Sequence, residues 1–175
     1  CQVMLLRLKL VLTVTFWGTA TMTIAQRIYK PSSVLANGNF YKIGVKEAGI
    51  YKIDLPFLNS LGIATANLAS SSLRLFGNGG QMLSENNTGP RTDDLQENAI
   101  MVVDGGDGIL NGSDHILFYA NGPDHWLKDS ANRRFSHQKN IYSDKAFYFL
   151  STGGNGKRIA VSPGAGSPNI SINSF

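Results

Sequence analysis

Short apolar segments separated by glycine- and asparagine-containing turns recur about every ten residues along this chain. Only one segment has the spacing of a helix, and strands do not alternate with helices as they do in a doubly wound α/β fold. The sequence therefore predicts a mainly β fold, an antiparallel β-sandwich or distorted barrel with one short helix.

The first part of this domain has the clearest local signals. Apolar and polar residues alternate over 40–46 and again over 50–53, which predicts two half-buried strands joined as a β-hairpin. Asp54 then stands where a helix N-cap is expected, and Pro56 falls in the first turn, where its missing N–H is tolerated. Gly62 is the predicted stop of this one short helix.

Three nearly uninterrupted apolar runs, at 99–103, 116–120 and 147–150, follow later in the chain. Runs of this kind are typical of central strands that are covered on both faces. The long polar stretch at 121–145 separates the last two runs and is predicted to be a loop.

A further strand is predicted at 73–76, where it ends in the glycine-rich run 77–80 that suits positive φ. Residues 81–83 are a candidate hairpin partner for that strand, and 84–94 form a polar loop. A last strand is predicted at 158–161.

The first 25 residues are predicted to be a secretory signal peptide rather than part of the fold. Arg7 and Lys9 precede an apolar run, no acid is present, and Thr23 and Ala25 provide the small residues of a cleavage site. A retained transmembrane helix is the less favoured alternative, because threonine and glycine interrupt the run. The predicted organisation is signal peptide 1–25, exposed lead-in 26–39, β-rich domain 40–162, and the start of a linker or next strand at 163–175.

Removing the predicted signal peptide changes the net charge and the cysteine content of the chain. The full sequence has sixteen Lys and Arg against twelve Asp and Glu, and cleavage leaves fourteen against twelve. The single cysteine, Cys1, leaves as well, so the mature chain has neither a disulfide nor a thiol nucleophile. A net charge this small gives no support to a nucleic-acid partner.

One glycine-rich loop carries four oxygen-bearing side chains, which are Asp104, Asp107, Asn111 and Asp114. Calcium prefers six to eight oxygen ligands, and glycines let such a loop fold tightly, so these residues are a candidate calcium site. Their spacing is not that of an EF-hand. The favoured alternative is a tight β-hairpin loop in which Asp and Asn supply positive φ and local hydrogen bonds, with no cofactor.

The polar stretch at 121–145 contains a candidate interaction loop, made of Trp126, Arg133, Arg134 and Phe135. Aromatic and arginine side chains are frequent anchors of binding surfaces. The favoured alternative is that Trp126 caps the core beneath the loop.

Other kinds of site find little support in the sequence. The three histidines, His115, His125 and His137, are not spaced as zinc ligands, and no G-x-S-x-G element or phosphate-binding loop is present. The basic residues near 128–139 are interrupted by acidic ones, which argues against a nucleic-acid surface. Composition and spacing alone therefore indicate a secreted β-rich domain without a catalytic centre.

Five segments occur in an order that resembles the N-terminal region of the PorU family, the gingipain-like cysteine peptidases that act as sortases of the Bacteroidetes type IX secretion system. They are FYKIGVKEAGIYKI from Phe40, LRLFGNGG from Leu73, DLQENA from Asp94, DG from Asp107 with DHILFYANGP from Asp114, and NIYS from Asn140 with FYFL from Phe147. The resemblance extends over about 40–150.

This resemblance implies a non-catalytic N-terminal domain, a fragment of a longer peptidase that removes C-terminal sorting domains from cargo at the cell surface. The Cys–His dyad of that family lies in a peptidase domain beyond Phe175, so no catalytic residue is transferred to this chain. The implied partners are the downstream peptidase domain, secreted cargo and outer-membrane shuttle components. The implied location is the periplasm or the outer-membrane surface, after export across the inner membrane. The alternative is a free-standing secreted β-sandwich module for binding or adhesion.

Overall fold

A computed structural model of the chain describes residues 29–86, 89 and 91–160. The predicted signal peptide and the segment 163–175 lie outside the described residues. The described part is mainly β, with antiparallel sheets and one α-helix, so the predicted fold class is confirmed. No helix among the described residues is long and apolar enough to cross a membrane.

Nine strands and one helix make up the described fold. Their bounds are β1 Phe40–Val45, β2 Gly49–Asp54, α1 Leu55–Ser60, β3 Leu73–Phe76, β4 Glu97–Asn98, β5 Met101–Val103, β6 His115–Ala120, β7 His125–Asp129, β8 Arg134–Gln138 and β9 Ala146–Thr152. Short 3-10 turns occur at Val34–Ala36 and Ser70–Ser72. The strands form a four-stranded sheet in the order β1-β9-β3-β4, a three-stranded sheet in the order β2-β6-β5, and the hairpin β7-β8.

The two larger sheets enclose one apolar core. The four-stranded sheet contributes residues such as Leu75, Tyr148 and Leu150, and the three-stranded sheet contributes Ile116 and Phe118. The rings of Phe118 and Tyr148 meet with centroids 5.6 Å apart, which joins the inner faces of the two sheets. Each sheet therefore buries one face against the other, as in a β-sandwich.

The predicted hairpin of the first two strands is wrong. β1 pairs with β9 from Phe40 to Val45, and β2 pairs with β6 from Gly49 to Asp54. The three residues between β1 and β2 lead from one sheet to the other, so Val45 and Ile53 bury their side chains in the shared core from opposite sheets. Alternation identifies a half-buried strand but not its partner, which is why the sequence pattern misleads here.

The predicted helix is confirmed, although it is only six residues long. Asp54 Oδ1 accepts a hydrogen bond from the backbone N–H of Phe57 at 3.1 Å, so Asp54 is the N-cap, and proline occupies the first turn. Leu58 is fully buried and Gly62 has φ of 82° just after the helix. The capping signals thus located both ends of the element.

The strand at 73–76 is confirmed, but residues 81–83 are not its partner. The two edges of β3 pair with β9 and with β4, which leaves no room for another strand. In the glycine run only Gly79 has positive φ, at 80°. Gly77 and Gly80 are required for space, since a Cβ on Gly77 would enter the Tyr148 ring and one on Gly80 would lie 2.6 Å from Ala146 Cβ.

Of the three continuous apolar runs, two are confirmed as central strands. β6 and β9 each have a strand on both edges, yet each is covered on one face only, because Tyr119 and Phe147 remain exposed. The run at 99–103 is not central, since β5 pairs only with β6 and exposes Met101. Near the predicted last strand, Arg158 forms one isolated parallel bridge with Ile100.

Candidate interaction site

The segment predicted to be a polar loop at 121–145 contains the hairpin of β7 and β8 instead. Its register places Trp126 opposite His137 and Lys128 opposite Phe135, so these four side chains share one face. Trp126 and Phe135 are 64% and 66% exposed, and the Trp126 ring contacts the His137 ring with centroids 4.9 Å apart. The expectation that Trp126 caps the core is therefore wrong.

The two predicted arginines lie at the turn of the hairpin, away from the aromatic pair. Arg134 Nε donates to Asp129 Oδ2 at 3.3 Å on the opposite face from Trp126. Arg133 occupies the turn with φ of 50°. Asn132 closes this turn by donating its backbone and side-chain N–H groups to Asp129, and these bonds hold the pKa of Asp129 below its ordinary value.

A second exposed apolar group, which no sequence pattern indicated, lies beside the base of the hairpin. Ile141 and Tyr142 are 76% and 82% exposed, and Leu83 also projects into solvent. These side chains border a cleft of about 610 Å³ together with residues of β7, among them Leu127. Alternation of apolar and polar residues predicts exposure only in strands. The segment NIYS, which contains Ile141 and Tyr142, is a turn, so the sequence pattern did not predict their exposure.

Asn140 holds this turn in place with its backbone and its side chain. Its Nδ2 donates to Gly80 O at 2.6 Å and its backbone N–H donates to Asp124 Oδ1 at 3.0 Å. Its Oδ1 accepts hydrogen bonds from the backbone N–H groups of Tyr142 at 2.8 Å and Ser143 at 3.1 Å. An asparagine that bonds the backbone two residues ahead is a typical turn former, so it presents Ile141 and Tyr142 on a fixed backbone.

The candidate calcium residues lie in the loop that connects β5 to β6, as the hairpin-loop alternative expects. Asp104 accepts hydrogen bonds from the Ser70 hydroxyl and the Gly106 N–H, and the bond from Ser70 is the main reason that the pKa of Asp104 is lowered. Asp107 accepts from the Ile109 N–H at 2.9 Å and from Asn111 Nδ2 at 3.0 Å.

The fourth residue of this set is bonded in the same local manner, since Asp114 Oδ2 accepts from the Asn111 N–H at 2.8 Å. Positive φ in the loop belongs to its glycines and not to Asp or Asn. Across the described residues, no three His, Cys, Asp or Glu side chains come together in a group that could hold a metal ion. The calcium site stays a prediction.

Comparison with known proteins found a likeness to a solved structure. No family model and no curated protein matches the chain. The crystal structure of dimeric latent PorU from Porphyromonas gingivalis matches with 29% sequence identity and a TM-score of 0.55, over 80% of this chain and 12% of that one. The chain therefore spans about an eighth of the PorU polypeptide that it resembles, and over that span it has a PorU-like fold.

Proposed function

We propose that this chain is the non-catalytic N-terminal domain of a secreted gingipain-like cysteine peptidase, a type IX secretion sortase that removes C-terminal sorting domains from cargo. The observation that carries the proposal is the likeness to PorU over 80% of the chain. The order of the five sequence segments agrees with it. Because residues 26–175 contain no cysteine, the thiol nucleophile belongs to another part of the polypeptide.

The proposal includes a location and partners. The basic, acid-free start of the chain and its apolar run support export across the inner membrane, to the periplasm or the outer-membrane surface. The partners are the downstream peptidase domain, the secreted cargo and components of the outer-membrane shuttle.

The decisive experiment reads the gene beyond residue 175 and assays the complete product. We expect a caspase-like domain with a His and Cys pair, and thiol-dependent cleavage of a peptide that spans a cargo and sorting-domain junction. Residues 26–175 alone should show no cleavage. A downstream sequence without such a domain would contradict the proposal, and so would peptidase activity of residues 26–175.

A second candidate function is a free-standing binding or adhesion module, and a specific observation favours it. Trp126 and Phe135 are exposed on one face of the hairpin, and exposed aromatic side chains are frequent anchors of binding surfaces. Because these rings cover little of the core, Trp126→Ala should leave the melting temperature within about 2 °C of the parent value.

The ligand arm of this test uses the fluorescence of Trp126, which is the only tryptophan of residues 26–175. Titration with soluble glycans should quench or shift that emission if the hairpin binds them, and Phe135→Ala should abolish the change. Ile50→Ala serves as the control, because Ile50 is also exposed but belongs to β2 and not to the hairpin or its cleft. An emission spectrum that no glycan alters would remove the glycan form of this function.

A further inference from the structure

Five of the eight side chains on the outward side of the three-stranded sheet are apolar. Strand register places Ile50 opposite Tyr119, and Leu117 between Lys52 and Met101, all on the face that points away from the core. Val103 extends the same face along β5. We use "outer face" for the five apolar side chains on it, namely Ile50, Met101, Val103, Leu117 and Tyr119.

The exposure of this outer face is large for an antiparallel sheet. Ile50 is 75% exposed, Tyr119 is 59% exposed and Met101 is 48% exposed. The solvent side of such a sheet ordinarily carries polar residues, and a contiguous apolar patch marks a surface that contacts something else.

The other sheet of the sandwich gives a direct comparison within the same chain. There Phe76 also points outward, yet it is only 2% exposed. Phe40 covers it edge-on with ring centroids 5.9 Å apart, and the Arg74 guanidinium lies 4.8 Å from its ring centre. The chain thus covers Phe76 on the outward side of the four-stranded sheet, whereas Ile50, Met101 and Tyr119 on the three-stranded sheet remain exposed within the described residues.

The outer face also carries little net charge. The register also places three polar side chains on this face, Lys52, Asp54 and His115. Lys52 and Asp54 are of opposite sign, with Lys52 Nζ 3.9 Å from Asp54 Oδ2, so they add little net charge. Permanent interfaces are more apolar than transient ones, whereas arginine and exposed aromatics are typical of hot spots in separable complexes. By this criterion the outer face has the character of a permanent contact, in contrast to the hairpin with Trp126 and Arg133.

The path of the chain places its continuation beside this sheet. The Ile100 N–H donates to Lys157 O at 3.1 Å, and the Ile159 N–H donates to Ile100 O at 3.0 Å. Ile100 leads directly into β5, which is an edge strand of the three-stranded sheet. The described chain therefore leaves the fold at the β5 edge of the three-stranded sheet, so a domain that follows is tethered on the side of this sheet.

We propose that the outer face is the surface on which the folded domain that follows in the longer polypeptide packs. This inference rests on the proposed function, and it identifies where the two domains of that polypeptide meet. The matching surface on the following domain is apolar and poor in charge, so that Ile50 and Tyr119 are buried at the contact.

The test places a lysine on the outer face in two contexts. Ile50→Lys is made in the 175-residue chain and in the complete gene product, and melting is followed in each. In the short chain Ile50 is exposed, so a shift within about 2 °C is expected. In the complete product the lysine is buried without a partner, so we expect a loss of at least about 5 °C and faster protease cleavage after residue 160.

Tyr142→Lys is the matched control, because Tyr142 is even more exposed but lies beside the hairpin. It should leave melting unchanged in both contexts. If Ile50→Lys has the same small effect in the complete product as in the short chain, the inference is overturned while the proposed function stands. If Tyr142→Lys alone destabilises the complete product, the domains meet at the hairpin side, which also overturns it. Absence of a downstream domain overturns both proposals.

Discussion

At the scale of single residues, Gly77 and Gly80 allow the glycine-rich run 77–80 to pack closely against β9. Gly80 lies against Ala146 and the backbone of Pro123, where a Cβ would come within 2.6 Å and 2.8 Å of carbon atoms. Neither neighbour has a flexible side chain that could move aside. The hydroxyl of Tyr148 ties the same region together, because it accepts from the Asn121 N–H at 2.7 Å.

Gly80→Ala should therefore destabilise the domain through overpacking, by about 1–3 kcal/mol. Gly49→Ala is the control, because Gly49 has open space around the position of a Cβ and no positive φ. That control should remain within about 0.5 kcal/mol of the parent. Urea denaturation of both variants measures the difference, and equal midpoints would contradict the expected steric clash.

The sequence predicts some residue roles correctly and others wrongly, according to how far away the contacting residues lie in the chain. Asp54 and Gly62 were predicted correctly, because helix caps depend on neighbours within a few residues. The exposure of Trp126 was not predicted correctly. An aromatic ring within a polar stretch is equally compatible with a ring that covers the core and with a ring that projects from a hairpin. Contacts between distant segments decide between them, and within the described residues they leave Trp126 64% exposed.

At the scale of elements, Glu97 of β4 joins three separate segments. Its Oε2 accepts from Arg74 Nη2 of β3 at 2.8 Å, and its Oε1 accepts from the Lys157 N–H at 2.8 Å. The Arg74 hydrogen bond is the main reason that the pKa of Glu97 is lowered; partial burial opposes it, and the Lys157 bond adds to it. The ionised carboxylate therefore holds the edge of the four-stranded sheet to the end of the described chain.

Acidification should weaken this junction. The unfolded chain has Glu97 near its ordinary pKa of about 4.3 and the folded chain has a lower one, so the unfolded state takes up the proton first. The stabilisation is complete above the unfolded value and disappears as the pH falls through the folded value.

Unfolding free energies measured from about pH 6 to pH 3 should thus fall more steeply in the parent than in Glu97→Gln. Glu47→Gln, at an exposed glutamate, should follow the parent curve. Parallel curves for the parent and Glu97→Gln would contradict the role given to this carboxylate.

Calcium binding by the loop between β5 and β6 can be tested by thermal melting. Its carboxylates already accept hydrogen bonds from within the loop and from Ser70, so we expect the same melting temperature in millimolar calcium and in chelator. A bound ion stabilises the folded state by mass action, so a higher melting temperature in calcium that Asp107→Asn abolishes would establish the ion site instead.

At the scale of the whole molecule, the pattern of apolar residues predicted the mainly β sandwich but not the order of its strands. Alternation and turn residues are local, and they located β1, β2, β3, β6 and β9 to within a residue or two. Pairing partners depend on contacts between distant segments, such as Phe40 with Ser151, and these leave no periodic trace in one sequence. The PorU-like fold was reached instead through the order of several short segments.

The order β1-β9-β3 puts the last strand of the four-stranded sheet between two strands that come much earlier in the chain. β1 and β3 do not pair with each other, so neither has a partner on that side until β9 is available. β3 can pair with the short strand β4 before then, but in a chain that emerges from its N-terminus neither β1 nor β3 meets β9 until about residue 152 is free. Closing loops of that length is entropically slow, so the four-stranded sheet is the last part of the sandwich to be completed.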